Sequence, residues 1–164
     1  HHLHLSETDI GYFDSHARFD PPLRTSSDRE ALRAAVAEGL AVVCSDHTPV
    51  DEDGKQLPFG EALPGAIGLE LLLPLVLKWA DEERVPLLAA LARVTCDPAA
   101  VLGIDAGSVS VGRRADLCIF DPQEPWRVSP ETLRSKAKNT PCMGWEMTGR
   151  VRATIVSGRV VFDL

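Results

Sequence analysis

A single carboxylate stands where a metal ion or a proton would be handled. Asp46 follows the apolar run Leu40-Ala41-Val42-Val43-Cys44, within Cys44-Ser45-Asp46-His47-Thr48-Pro49. A short, unbroken apolar run marks a strand buried on both faces of a parallel sheet. In a β/α barrel the C-terminal ends of such strands form the catalytic rim, where a carboxylate can ligate a metal or relay a proton. The same position also suits a helix N-cap or a loop acid. His47, next to it, is either a ligand or a hydrogen-bonding residue that supports the loop.

His1, His2 and His4 are interleaved with leucine, unlike the unbroken histidines of a purification tag. If these residues are extended, His2 and His4 share one face, as a metal-binding pair can. No carboxylate or cysteine follows them at ligand spacing. Asp20-Pro21-Pro22-Leu23-Arg24 reads as a rigid extended turn whose acid and arginine suit either a loop ion pair or substrate contact. Pro58-Phe59-Gly60 and Pro64-Gly65 either present backbone N–H groups to a ligand or are ordinary turns.

The elements that carry these residues change character near residue 103. Ser27 and Glu30 form a capping-box pattern ahead of Leu32 and Val36, with Gly39 closing a helix over about 28–38. Helix followed by strand 40–44 predicts an α/β repeat. Residues 46–66, rich in Pro, Gly and acids, form a long loop of the kind that is functional or disordered. Gly68 to Trp79 is apolar on nearly every side and predicts a buried helix, kinked or begun at Pro74. Pro86 starts another helix, and Asp97 as N-cap, Pro98 and Gly103 frame a third. Beyond Gly103 strands are expected at 108–111, 115–120, 150–156 and 159–162, the last two joined at Ser157-Gly158, with a short helix opening at Ser129-Pro130-Glu131.

The 164 residues, 45% of them hydrophobic, suffice for a domain-sized core. With 24 acidic against 17 basic side chains and a net charge of −7, nucleic acid and anionic membranes are excluded as partners. The longest apolar run, Leu71 to Leu77, falls far short of the roughly 20 residues of a membrane span. Four scattered cysteines without a CxxC pair point to a reducing, cytoplasmic setting. There is no initiator methionine, and the expectation is that this is the C-terminal part of a longer protein.

In order and spacing, His1-His2-Leu3, Asp20-Pro21-Pro22-Leu23-Arg24, Ser45-Asp46-His47, Pro58-Phe59-Gly60, Gly68-Leu69-Glu70, Asp97 to Gly103, Gly112 to Asp121 and Lys138-Asn139-Thr140-Pro141 resemble the C-terminal portion of a class I dihydroorotase of the amidohydrolase superfamily. The resemblance runs from end to end. It implies an α/β fold, with residues 1–103 as the last part of a (β/α)8 barrel and 104–164 as part of a small β-sandwich. It also implies zinc-dependent interconversion of carbamoyl aspartate and dihydroorotate in pyrimidine synthesis. In that family the metal is held by an HxH pair, a bridging carboxylated Lys or Asp, two further histidines and the Asp after the eighth strand; only the last maps here, onto Asp46. Asp46 would then be metal ligand and proton shuttle, with His47 supporting it and Asp20, Arg24, Val50, Pro58, Phe59 and Gly60 near substrate.

Two positions depart from the family pattern: Asp20 stands where Asn is common, and Val50 where His is common. Both changes remove favourable polarity for the substrate carboxylate, and a lost buried donor to a charged group costs about 2–5 kcal/mol. Ser-Asp-His-Thr-Pro-Val over 45–50, with Leu57-Pro58-Phe59-Gly60-Glu61-Ala62 after it, is similar to noncatalytic dihydroorotase-like subunits of some proteobacteria that support aspartate transcarbamoylase. A scaffold of that kind is the alternative reading, and an amidohydrolase for a neutral cyclic amide is a third. In each case the chain alone is expected to be inactive, and to be completed by an N-terminal half or by a second copy.

Overall fold

The structure, a computed structural model, describes residues 1–164. It is an α/β arrangement of five helices followed by a three-stranded antiparallel sheet. Two short 3-10 turns, Glu7–Ile10 and Ser15–Ala17, precede α1 (Ser26–Ala37). The reciprocal cap of α1 is Thr25 with Asp28, not Ser27 with Glu30: the Thr25 hydroxyl accepts from the Asp28 N–H, and the Asp28 carboxylate accepts from the Thr25 N–H. An aspartate at the third helical position closes the box as a glutamate would, so the helix begins earlier than expected.

Helix α2 (Glu52–Gln56) lies inside the long 46–66 segment, and α3 (Leu72–Glu83) is the buried helix of the chain. Pro74 sits in the first turn of α3, where its missing N–H would have had no partner, so it begins the helix without kinking it. Helix α4 (Leu87–Ala92) follows Pro86, and α5 (Cys96–Leu102) ends at Gly103 in the left-handed region. Asp97 is the second residue of α5, not its cap; it pairs with Arg93 one turn earlier.

Strands β1 (Leu117–Arg127), β2 (Glu146–Val156) and β3 (Arg159–Asp163) form a meander in that order. β1 runs well past the expected end because Asp121 to Pro125 is accommodated as a register shift, the usual way a sheet tolerates residues without an N–H. Ser157 and Gly158 both have positive φ, the requirement of a tight hairpin turn whose twist matches its strands.

Three apolar clusters bind the elements together. Leu3, Val36 of α1, Val76 and Ala80 of α3 and Ala90 of α4 form one cluster with the fully buried Trp79. Leu71 and Leu75 join Val128, Leu133, Cys142 and Met147, fastening α3 to the sheet. Leu5, Ala17, Phe19, Leu23 and Ala66 pack the N-terminal loops. No helix is long and apolar enough to cross a membrane.

Three expected elements are absent. Residues 40–44 pair with no strand: Ala41 and Val43 turn inward, Leu40 is 77% exposed, and Val42 and Cys44 also face out. The backbone of this run is anchored by a bond from the Val43 N–H to the Arg93 carbonyl, and the nearest ladder contact is an isolated parallel bridge between His47 and Ala66. An apolar run specifies burial, but a strand exists only where a second chain segment supplies the ladder. Residues 108–111 form an exposed loop with Val109 and Val111 outward, and Ser129 to Thr132 is a turn held by mutual hydroxyl and backbone bonds instead of a helix. A three-residue signal from Ser and Pro suits either, and the side-chain bonds decide for the turn.

Candidate functional site

A cavity of about 330 Å³ opens between the N-terminal turn, residues 42–46, α1 and the start of α3. Residues 1–5 do not form a strand. The His4 and Leu5 N–H groups both donate to the His1 carbonyl at 2.9 Å, closing a turn. His2 and His4 therefore do not act as a same-face strand pair. All three histidines border the cavity, each with a different role.

His1 is the residue that meets Asp46. Its ring stacks on Phe19, with centroids 4.2 Å apart and planes 13° apart, and its Nε2 lies 3.5 Å from Asp46 Oδ2. That distance is too long for a good hydrogen bond. The His1 side chain is 5% exposed and that of Asp46 48% exposed. The Nε2 atoms of His1 and His2 are both buried with no hydrogen-bond partner, the only histidine nitrogens in that condition. Burial without a partner costs about 1–3 kcal/mol for a polar group, so such atoms mark places where a ligand would be expected.

Burial also sets the protonation of the turn. It lowers the pKa of His2, and it takes His4, whose Nε2 is 2.9 Å from the Leu75 carbonyl, down to about 4. His4 is thus a neutral donor that pins the turn to α3.

Asp46 occupies the left-handed region, φ 45°, which aspartate tolerates better than most residues. Two contacts hold the loop around it. His47 Nδ1 accepts from the Gly68 N–H at 3.0 Å and the Leu69 N–H at 3.4 Å, which places its proton on Nε2 and makes it a fastener between this loop and the entry to α3. Gly68 is required there, since a Cβ would stand 2.1 Å from the Ser45 carbonyl oxygen. The second contact is Asn139, buried at 4% exposure. Its Oδ1 accepts from the Val50 N–H at 3.1 Å, and its Nδ2 donates to the Thr48 and Gly65 carbonyls at 3.0 and 3.1 Å. Lys138-Asn139-Thr140-Pro141 stood out in the sequence, but nothing in it announced that Asn139 clamps a loop some 90 positions earlier.

The other sequence candidates lie outside the cavity lining. Asp20 is exposed beside Pro21, which does line it. Arg24 is exposed, 3.7 Å from Asp28, and borders a small neighbouring depression with His2. Val50 is buried and packs close to Gly54. The Pro58 carbonyl accepts from the Glu61 and Ala62 N–H groups in a turn that carries Gly60, and Phe59 meets Phe13 edge-on at 5.9 Å. No three His, Cys, Asp or Glu side chains of this chain converge as a complete metal site. The buried, unpartnered His1 Nε2 and the Asp46 carboxylate 3.5 Å from it are two of zinc's usual donor types, and fit as a pair within a ligand set completed from outside this chain.

The chain as a whole has clear relatives. The Amidohydrolase family model matches residues 1–162, and the chain belongs to that family. Its curated relatives include a dihydroorotase of Syntrophotalea carbinolica, 42% identical over 165 residues, covering 100% of this chain and 39% of the relative. A dihydroorotase of Geobacter sp. strain M21 is 39% identical over 164 residues, covering 99% and 39%. Among solved structures, the L-hydantoinase (dihydropyrimidinase) from Arthrobacter aurescens superposes with a TM-score of 0.89 at 28% identity, covering 99% of this chain and 38% of that one. The chain thus spans 39% of the length of the two dihydroorotases.

Proposed function

We propose that this chain is the C-terminal part of a cytoplasmic dihydroorotase, hydrolysing the cyclic amide of dihydroorotate to carbamoyl aspartate and catalysing the reverse closure. In this reading residues 1–103 complete a (β/α)8 barrel begun by an N-terminal segment, and 104–164 supply part of a small β-sandwich. The observation that carries it is the pairing of Asp46 with the buried, unpartnered His1 Nε2 on the wall of a substrate-sized cavity, in a chain 42% identical to a dihydroorotase.

His1 and Asp46, with donors from the rest of the protein, would hold zinc, which when bound makes water a nucleophile at neutral pH. Asp46, half exposed, accepts the proton of the attacking water as the new C–O bond forms, and returns it to the ring nitrogen as the C–N bond breaks. Phe19 fixes the His1 ring, His47 and Asn139 fix the loop, and Leu72 and Val76 exclude bulk water from the cavity wall. Arg24, which shares a depression with His2, is proposed to take the substrate carboxylate. For Asp20, Val50, Pro58, Phe59 and Gly60 a substrate role rests on the resemblance alone.

One observation favours the noncatalytic alternative, a scaffold for aspartate transcarbamoylase. Where the family commonly presents His, Val50 is packed into its own loop and offers nothing to an anion. The deciding experiment is a dihydroorotate hydrolysis assay, alongside metal analysis, on the protein in which this chain follows its N-terminal segment. Hydrolysis that Asp46→Ala lowers by about 10³-fold or more supports the enzyme. Zinc-loaded protein that hydrolyses neither dihydroorotate nor a neutral cyclic amide, yet co-purifies with the transcarbamoylase, overturns it in favour of the scaffold. Turnover of the neutral amide alone selects the third reading.

A further inference from the structure

A second cavity, of about 310 Å³, lies on the other side of the segment that leads into α3. Leu69, Glu70 and Pro74 face it, whereas Gly68, Leu72 and Leu75 face the Asp46 cavity, and the two linings share no residue. Its remaining wall comes from the sheet and the connection between β1 and β2, and it contains two arginines. The Arg150 guanidinium sits 4.8 Å from the centre of the Trp126 ring, and that of Arg134 5.9 Å from the centre of the Phe162 ring.

In a chain of net charge −7, most cations near an acid are paired: Arg33, Arg93, Arg113, Arg114 and Arg152 all meet carboxylates. Arg134 and Arg150 do not. The one acidic side chain in the cavity, Glu70, is already engaged, its two oxygens accepting the Arg134 and Ser135 N–H groups at 2.7 Å each. Glu70 therefore fixes the backbone that carries Arg134 and leaves the guanidinium free. The Trp126 ring is itself fixed, its Nε1 donating to the Gly149 carbonyl at 3.1 Å.

Two planar guanidiniums, each held against an aromatic face and neither neutralised, are pre-organised to receive a tetrahedral or planar oxyanion through paired N–H bonds. The cavity volume exceeds what an inorganic anion needs, and its lining adds apolar and aromatic surface for an organic body. We propose that this cavity is a binding site for a small phosphate monoester, with Arg134 and Arg150 holding the phosphoryl group and the Trp126 and Phe162 region holding the organic part. The site is separate from the proposed catalytic cavity and does not depend on the reaction assigned there.

The test is calorimetric titration of the full-length protein with phenyl phosphate, inorganic phosphate and phenol, with the Trp126 indole resonance followed by NMR. Phenyl phosphate is expected to bind and to shift Trp126, with affinity about tenfold above inorganic phosphate and phenol silent. Arg134→Met and Arg150→Met, which keep the apolar stem, should each weaken it by about tenfold. Arg150→Lys, which keeps the charge but not the fork, should lose part of that affinity, and it serves if a methionine variant fails to fold. Absence of binding at millimolar phenyl phosphate, equal affinity for inorganic phosphate, or unchanged affinity in the folded arginine variants would each overturn the proposal.

Discussion

Replacing Asn139 by alanine removes three hydrogen bonds at once and isolates the effect of the clamp on the Asp46 loop. The Val50 N–H and the Gly65 carbonyl are buried in these bonds, whereas the Thr48 carbonyl is partly exposed and can turn to water. Two groups are therefore left dry, at about 1–3 kcal/mol each, for a total of roughly 2–6 kcal/mol. For a chain of this size each kcal/mol lowers the melting temperature by about 2–4 °C, so the variant should melt roughly 4–24 °C below the parent. Amide exchange at Val50 should accelerate in the same variant, because its N–H loses its acceptor. Asn139→Asp keeps an acceptor for Val50 but turns a carboxylate toward two carbonyls. It should be at least as destabilising at neutral pH and recover as acid protonates it, since the neutral form can again donate. A calorimetric melt of Asn139→Ala within about 1 °C of the parent, with Val50 exchange unchanged, would refute the clamp.

Gly68→Ala should be destabilising by about 1–3 kcal/mol in denaturant unfolding, since its Cβ meets the Ser45 carbonyl and can be relieved only by moving the loop that carries Asp46. His4, with a folded pKa of about 4 against 6.5 in the unfolded chain, favours the neutral form in the fold. Its contribution, about 3 kcal/mol, is complete above pH 6.5 and lost as the pH falls toward 4, and His4→Gln should flatten that part of the stability profile measured by urea titration. Arg33, nearly buried, donates to Glu83 at 2.6 Å, Glu82 at 2.9 Å and the Leu3 carbonyl at 2.7 Å. Arg33→Met should cost about 2 kcal/mol, and a double-mutant cycle with Glu83→Gln should show coupling of about 1 kcal/mol or more.

Local chemistry made much of this protein legible from its sequence. Pro74 opening α3, Gly103 closing α5 and the positive-φ pair Ser157-Gly158 act through steric preferences of one or two residues, which no distant contact is needed to express. Asp46 was singled out because it follows an apolar run, and it does border the cavity. The same run shows where such reasoning ends: the pattern at 40–44 states that side chains avoid water, whereas ladder pairing depends on a neighbouring strand that no local pattern specifies. Only the tertiary structure placed His1 beside Asp46, Asn139 beneath the loop of Val50, and Arg134 and Arg150 in one cavity. Those partners are separated by 16 to 89 positions, and their meeting is decided by how α3 packs between the N-terminal loops and the sheet. Side-chain type sets what a residue can do, and the close packing of distant segments sets which residue it can do it with.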